Sequence, residues 1–231
     1  MERIIAILGG TGAEGLGLAL RWAQAGLRIR IGSRDPGKAA AAAAKVKQAV
    51  PGANAPGLVE GLLNPEAAAL AEIVVLTVPL LAQIPTIQVV RDHLRPGAIF
   101  VDTTVPVGAS LGDRVSHLVL PWAGSAAQQG AGFLPGHVSA VSAFHSLSAV
   151  ALADLAHPVE SDVLICGDSA EAKAVVKELA EKIPGVRAVD AGLLENSRFA
   201  EHAAALLIAL NVRHKLKHCG LRLTGLFPPG G

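Results

Sequence analysis

The chain has 231 residues, room for one sizeable core or two small ones, and carries a formal charge of +1 with only 17% charged residues, which leaves no basic footprint for nucleic acid. The hydrophobic fraction is 51%, yet glycine and proline interrupt every apolar run before membrane-spanning length. Met1 to Leu8 is too short for a signal peptide and leads straight into a glycine turn, so it reads as part of the fold. Cys166 and Cys219 are too few and too far apart for a disulfide framework or a zinc site. The expectation is a reduced, cytoplasmic protein with no membrane, nucleic-acid or metal partner. So many apolar residues for so few charges point to surface buried between subunits, as in a homodimer.

Ile4 to Leu8 is a short apolar run of the kind that forms a buried parallel strand. It breaks into Gly9-Gly10-Thr11-Gly12-Ala13-Glu14-Gly15, and an apolar segment at helical spacing follows to Gly26. A second strand is expected over Leu27 to Ile31. Gly10, Gly12 and Gly15 thus form G-x-G-x-x-G at a strand-to-helix junction. One glycine allows the tight turn, the next lets backbone reach a pyrophosphate, and the third lets helix pack close to strand. The diphosphate then rests on free N–H groups at the positive end of the helix. An NAD site places Asp or Glu about twenty residues further on, against the ribose 2′-hydroxyl. Here the strand ends in Gly32-Ser33-Arg34-Asp35-Pro36-Gly37-Lys38. Ser33, Arg34 and Lys38 offer a hydroxyl and two cations to a 2′-phosphate, so the dinucleotide reads as NADP(H). Asp35 would reach a ribose only if the strand ended later.

Lys38 to Val50 has strong helix propensity and stops at Pro51-Gly52. A weak third strand is expected over Ala53 to Leu58. Asn64-Pro65-Glu66 carries the marks of a helix start, with Asn64 as cap. Strands are then expected over Ile73 to Val78 and Ala98 to Val101, with a helix from Thr86 to Leu94 between them. This alternation argues for a doubly wound, mostly parallel sheet, whose ligands bind at the carboxyl ends of the strands. Gly12, Ser33, Val78 and Val105 all fall on that edge.

From Gly108 to Gly136 the pattern is loose, with a helix near Ser125 to Phe133; the segment suits a lid or a plain surface excursion equally. Val138 to Val141 resumes strand character and runs into Ser142-Ala143-Phe144-His145. Asp162 to Cys166 and Val186 to Val189 are the last strands, with a helix from Ala170 to Ile183 capped by Ser169. A final helix spans roughly Glu195 to Lys217, and the tail Phe227 to Gly231 is expected to fray. Its Leu206 to Leu210 stretch is apolar nearly all round, which suits burial under the sheet or in a dimer interface. His214 and His218 stand four apart among basic residues and read as a solvated face. Cys166 and Trp22 read as core. His145, following a strand at the ligand edge, can bond a substrate carbonyl or donate a proton near neutral pH.

The stretch ILGGTGAEGLGLALRWAQAG…IGSRDPGKA resembles the NADPH-dependent F420 reductases, which pass hydride between NADP(H) and the deazaflavin coenzyme F420. The likeness continues through VVLTVP (74–79), VSAVSAFHS (138–146), VLICGD (163–168) and VDAGLLENSR (189–198), and so covers nearly the whole chain. The resemblance implies a Rossmann domain over residues 1–137 and a small C-terminal α/β portion, 138–231, closing over the nicotinamide and acceptor site. It implies that Thr11, Gly12, Ala13 and Glu14 hold the pyrophosphate and that Ser33, Arg34 and Lys38 hold the 2′-phosphate. Val78, Val105 and Ala149 would line the nicotinamide half, while His145, Leu147 and Arg198 would face the deazaflavin, His145 bonding its ring. The acceptor half departs from the family pattern: His202, Ala204 and Ala205 replace small hydroxyl residues and a proline, and Ser148 stands where a proline is common. A related reductase of another acceptor (a flavin, a metal chelate or a small carbonyl compound) would use His202 beside His145. A non-catalytic NADP-binding sensor would bind the nucleotide without turnover.

Overall fold

The computed structural model describes residues 3–114 and 117–226. Eight strands form one sheet in the order β3-β2-β1-β4-β5-β6-β7-β8. They are β1 (Ile4–Leu8), β2 (Arg28–Ser33), β3 (Val59–Leu63), β4 (Ile73–Leu76), β5 (Ile99–Asp102), β6 (Ser139–Ser142), β7 (Ser161–Gly167) and β8 (Val186–Asp190). The first six run parallel; β7 pairs antiparallel to β6 through Val141–Gly167 and Ser142–Cys166, and β8 runs parallel to β7. The hydrogen-bonded ladder therefore crosses from residues 1–137 into 138–231 without a break.

The helices are α1 (Ala13–Gln24), α2 (Pro36–Ala49), α3 (Asn64–Leu70), α4 (Leu80–Val90), α5 (Ala126–Ala131), α6 (Ala149–Ala153), α7 (Ala170–Glu181) and α8 (Ser197–His214). Alternate strand residues feed two apolar layers, as a sheet covered on both faces requires. Ile5 and Ile7 join side chains of α1, α2, α6 and α7 on one face, while Ala6 and Leu8 meet those of α3 and α4 on the other. Trp22 and Cys166 are fully buried, as expected. The Trp22 ring meets Phe144 edge-on at 5.5 Å, and its Nε1 donates to Leu179 O at 3.1 Å.

Two polar anchors were not visible in the sequence. Arg21 is buried on α1, and its guanidinium donates to the carbonyls of Ala151, Leu152, Asp154 and His157, satisfying the free carbonyl end of α6. Gly17 lets the two helices touch, since a Cβ there would lie 2.6 Å from Leu152 Cβ. On β7, Asp162 takes a two-pronged bond from Arg187 at 2.7 and 2.9 Å, a bond from Arg222 at 2.9 Å and one from Leu223 N at 2.7 Å. Burial alone would raise its pKa, but these donors outweigh burial and hold it down at about 2. The segment after α8 is thereby tied back along β7.

Several expectations need correcting. The third strand is Val59–Leu63, and 53–58 is turn. Its Gly61 is where α2 crosses, for a Cβ there would sit 2.2 Å from Ala39 O. Asn64 does not cap α3; Glu66 bonds Leu63 N, and the buried Asn64 Oδ1 instead faces Gly9 N at 3.5 Å. Helix α4 begins at Leu80 and carries Pro85 on its exposed side. Helix α8 ends at His214 because Lys215 turns left-handed, so His214 and His218 do not share a helix face. Leu206 to Leu210 is not under the sheet: Leu206 is 59% exposed. The tail from Phe227 lies outside the described residues.

Candidate active site

The carboxyl ends of β1, β2, β4, β5 and β6 meet on one edge, and the strand order reverses between β1 and β4, the crevice where such sheets take a ligand. Gly9 turns the chain out of β1 at φ +71°, where Val78 Cγ1 would lie 2.4 Å from any Cβ. Gly10 N bonds Gly32 O at 3.1 Å, joining the turn to the end of β2. Gly15 packs so closely that a Cβ would meet Thr77 Oγ1 at 2.5 Å. These three glycines are demanded by the protein itself.

Gly12 is different. It caps α1 in ordinary extended geometry, φ −74° and ψ 166°, with no side-chain cap on the helix. A Cβ there would find only Gly9 O, at 3.5 Å. Nothing in the chain forbids a side chain, so the glycine leaves room for something outside it. Around that room the N–H groups of Ala13, Glu14 and Gly15 have no acceptor among the described residues. Unpaired N–H groups converging on a side-chain-free approach are the fit that a diphosphate needs.

At the end of β2, Ser33 is buried and its Oγ accepts from Asp35 N at 3.1 Å. Asp35 is occupied as the cap of α2, accepting from Lys38 N at 3.1 Å. Arg34 and Lys38 are exposed and make no ion pair among the described residues. Both follow the carboxyl end of β2, where Asp35 caps the start of α2.

Val78 after β4, Val105 after β5 and Ala149 at the start of α6 are half-buried apolar groups on the same edge. His145 follows β6 and is 8% exposed, and both its ring nitrogens are buried without a hydrogen-bond partner. Burial pushes its pKa down to about 4, so it is a neutral imidazole with one N–H to donate and one lone pair to offer. The proton-donating imidazolium considered from sequence does not exist at neutral pH in this state. A buried ring with two unsatisfied nitrogens fits a polar group that arrives with the ligand.

Other acceptor-side residues do not converge. Leu147 is 7% exposed and belongs to the core beside α6. Arg198 is held on the outer side of α8 by Glu195 O at 2.9 Å and stacks on Phe199. His202 is half-buried and makes no bond to His145.

The sequence reading missed a buried network behind the edge. Asp102, ending β5, accepts from Thr104 N at 2.8 Å and from Gln83 Nε2 at 2.6 Å. Gln83 also bonds Ala126 O at 2.7 Å. Glu201 accepts from Ala126 N and Ala127 N at 2.9 and 3.0 Å, closing the free N-terminus of α5. Burial and the nearby Asp102 push the Glu201 pKa up to about 8 against those backbone donors. The N-S-R-x-x-E run thus serves largely as an anchor: Asn196 bonds Ala191 O, Ser197 bonds Ser142 and Leu194 O, and Glu201 holds α5. Its signal in the sequence was Ser197 and Glu201 at helical spacing among small buried alanines.

The family model described as NADP oxidoreductase coenzyme F420-dependent matches residues 4–106. An F420-dependent NADP reductase of Methanothermobacter thermautotrophicus is 46% identical over 223 residues, 96% of this chain and 95% of its own. One of Methanocaldococcus jannaschii is 42% identical over 222 residues, 96% of this chain and 98% of its own. Among solved structures, one from Arthrobacter sp. FB24 superposes with a TM-score of 0.76 at 24% identity, covering 95% of this chain and 98% of that one. A 3-hydroxyisobutyrate dehydrogenase of Mycobacterium tuberculosis shares the fold at a TM-score of 0.59 and 18% identity, covering 94% and 67%.

Proposed function

The chain belongs to the F420-dependent NADP reductase family, and from that membership we propose that it transfers hydride between NADPH and F420. The observation that carries this reading is the room kept at Gly12, faced by three unpaired N–H groups, with Arg34 and Lys38 uncommitted at the end of β2. When bound, the nucleotide supplies a hydride at its C4 to the deazaflavin C5. The chain supplies the rest by binding, orienting and drying the two rings.

In this reading, Gly10 to Gly15 seat the diphosphate and Ser33, Arg34 and Lys38 seat the 2′-phosphate. Val78, Val105 and Ala149 form the apolar seat of the nicotinamide. Residues 138–231 close over the acceptor end, where neutral His145 gives a hydrogen bond to the acceptor ring. Direct hydride transfer needs no protein nucleophile.

The protein is proposed to work as a homodimer in the cytoplasm. The outer face of α8 supports the pairing, for Phe199 and Leu206, seven residues apart on one helix, are each about 60% exposed. An apolar pair exposed on one face suits a second copy of the same face. No helix among the described residues is long and apolar enough to cross a membrane.

The test is to mix the protein with NADPH and oxidised F420 and follow loss of the deazaflavin's visible absorbance, with NADH, FMN and FAD as controls. Bleaching by NADPH with F420 alone is expected. Tight NADPH binding without F420 turnover would overturn the reading.

A further inference from the structure

The amino ends of the parallel strands carry a cleft of their own. β1, β2 and β4 begin side by side there, with Ile4 opposite Arg28 and Ile5 opposite Ile73. Helix α7 forms the other wall, and the cavity between them measures about 370 Å³. Small-molecule sites run from about 300 to 1,000 Å³, so this one suits a small ligand. Its floor is Ile5, Ile73 and Leu179, all buried, and Leu27 and Val175 stand half-buried beside them. Ile5 and Gly9 lie at opposite ends of β1, about 13 Å apart at the usual rise of a strand. A nucleotide on the glycine turn therefore leaves this cleft open.

The rim is cationic. Arg3, Arg28 and Lys182 line it, with Glu178 as the one acid. Glu178 lies 3.8 Å from Arg3, and the two side chains are 75% and 49% exposed. A pair of that kind is worth little and exchanges readily for another partner. Arg28 and Lys182 make no ion pair or hydrogen bond among the described residues. Arg28 is half-buried, and its charge repels that of Arg30, two residues along β2. The acid on the neighbouring strand, Glu60, is taken by Arg30 at 3.2 Å. A cation drawn partly out of water without a partner costs stability, and an anion from outside offsets that cost.

We propose that this cleft binds a small organic anion, its apolar body on Ile5, Ile73 and Leu179 and its charged head between Arg28 and Lys182. The floor gives nothing to a bare inorganic anion, and the rim gives nothing to a neutral hydrocarbon, so both parts of the ligand are needed. The strands come from residues 1–137 and α7 from residues 138–231, so an occupant joins the two portions. It raises stability by mass action without entering the nucleotide site.

The test is a fluorescence titration of the whole protein, in saturating NADP+, with 8-anilinonaphthalene-1-sulfonate. N-phenyl-1-naphthylamine, the same body without the anion, is titrated in parallel. One saturable site is expected for the sulfonate, with the neutral compound about fivefold weaker or worse. Arg28→Gln and Lys182→Gln together should weaken the sulfonate about tenfold, as two partly exposed charge contacts imply. Val175→Glu sets an internal acid before those cations and should abolish binding. Glu178→Gln removes the competing acid and should tighten binding about threefold, a gain that unfolding cannot imitate. Absence of a sulfonate site in wild type would overturn the proposal. So would a site that NADP+ displaces, that survives the loss of both cations, that ignores Glu178→Gln, or that takes the neutral compound equally well.

Discussion

An alanine at Gly12 adds a methyl group that, built on the backbone as it stands, touches only Gly9 O at 3.5 Å in a conformation any residue adopts. Alanine caps a helix less well than glycine by about 0.5–1 kcal/mol, and it restricts the unfolded chain by a similar amount in the opposite direction. Stability should therefore stay within about 1 kcal/mol, a shift of roughly 2–4 °C for a chain of this size. At Gly15 the same methyl would lie 2.5 Å from Thr77 Oγ1 and 2.7 Å from Gly10 Cα, and neither can move without displacing the turn. Overpacking of that kind costs about 1–3 kcal/mol. Ligand binding reverses the ranking. The Gly12→Ala methyl occupies the approach to the free N–H groups, and losing two charge-assisted hydrogen bonds at about 1.5 kcal/mol each weakens NADPH about 100-fold. Thermal melts with and without NADPH at about 100 times its wild-type Kd read this directly. Wild type should gain about 2.7 kcal/mol of stability and Gly12→Ala only about 0.4 kcal/mol. If Gly12→Ala melted several kcal/mol low yet kept its full NADPH shift, Gly12 would serve the fold and the argument from the room around it would fail.

Further outcomes follow from other parts of the molecule. Arg34→Ala should weaken NADPH about 10–100-fold, from the roughly 1.5–3 kcal/mol of a charge-assisted contact, and leave NADH almost unchanged in a fluorescence titration; equal weakening of both would remove the 2′-phosphate assignment. Asp162 has its folded pKa depressed from 3.8 to about 2. The stability it contributes is present above pH ~4 and is lost as pH falls from there towards 2, amounting to about 2 kcal/mol. Urea unfolding at pH 5 and pH 2.5 should show that loss in wild type and a flatter response in Asp162→Asn; identical pH slopes would contradict it. Leu206→Glu places a charge on the exposed side of α8, and sedimentation should find the proposed dimer in wild type and a monomer in the variant; the same state in both would contradict the pairing.

The cofactor edge was legible because local chemistry dictates it. A strand, three sterically required glycines and a helix start lie contiguous in the chain, and the residues past β2 name their own charge. The mostly parallel, doubly wound sheet was implied by the alternation of elements; the antiparallel pairing of β7 with β6 was not read from it. What stayed hidden depends on contacts between distant segments. Val59–Leu63 is a strand because Ile29 and its neighbours pair with it, not because of its own pattern, which Glu60 and Gly61 interrupt. The helix expected over Thr86 to Leu94 instead runs over Leu80–Val90, with Pro79 as its N-cap and Pro85 inside it. Arg21 and Glu201 look like surface charges in sequence. Only the arrival of α6 carbonyls and α5 N–H groups, from far along the chain, explains why they are buried.

The most direct measurement uses NADPH deuterated at both C4 positions, with oxidised F420 and the purified protein in ordinary water. Mass spectrometry of the reduced F420 after a single turnover is predicted to find one deuterium at C5, carried straight from the nicotinamide between rings held in contact. Reduced F420 without deuterium would mean that the hydrogen came from solvent, and would contradict direct hydride transfer in this site.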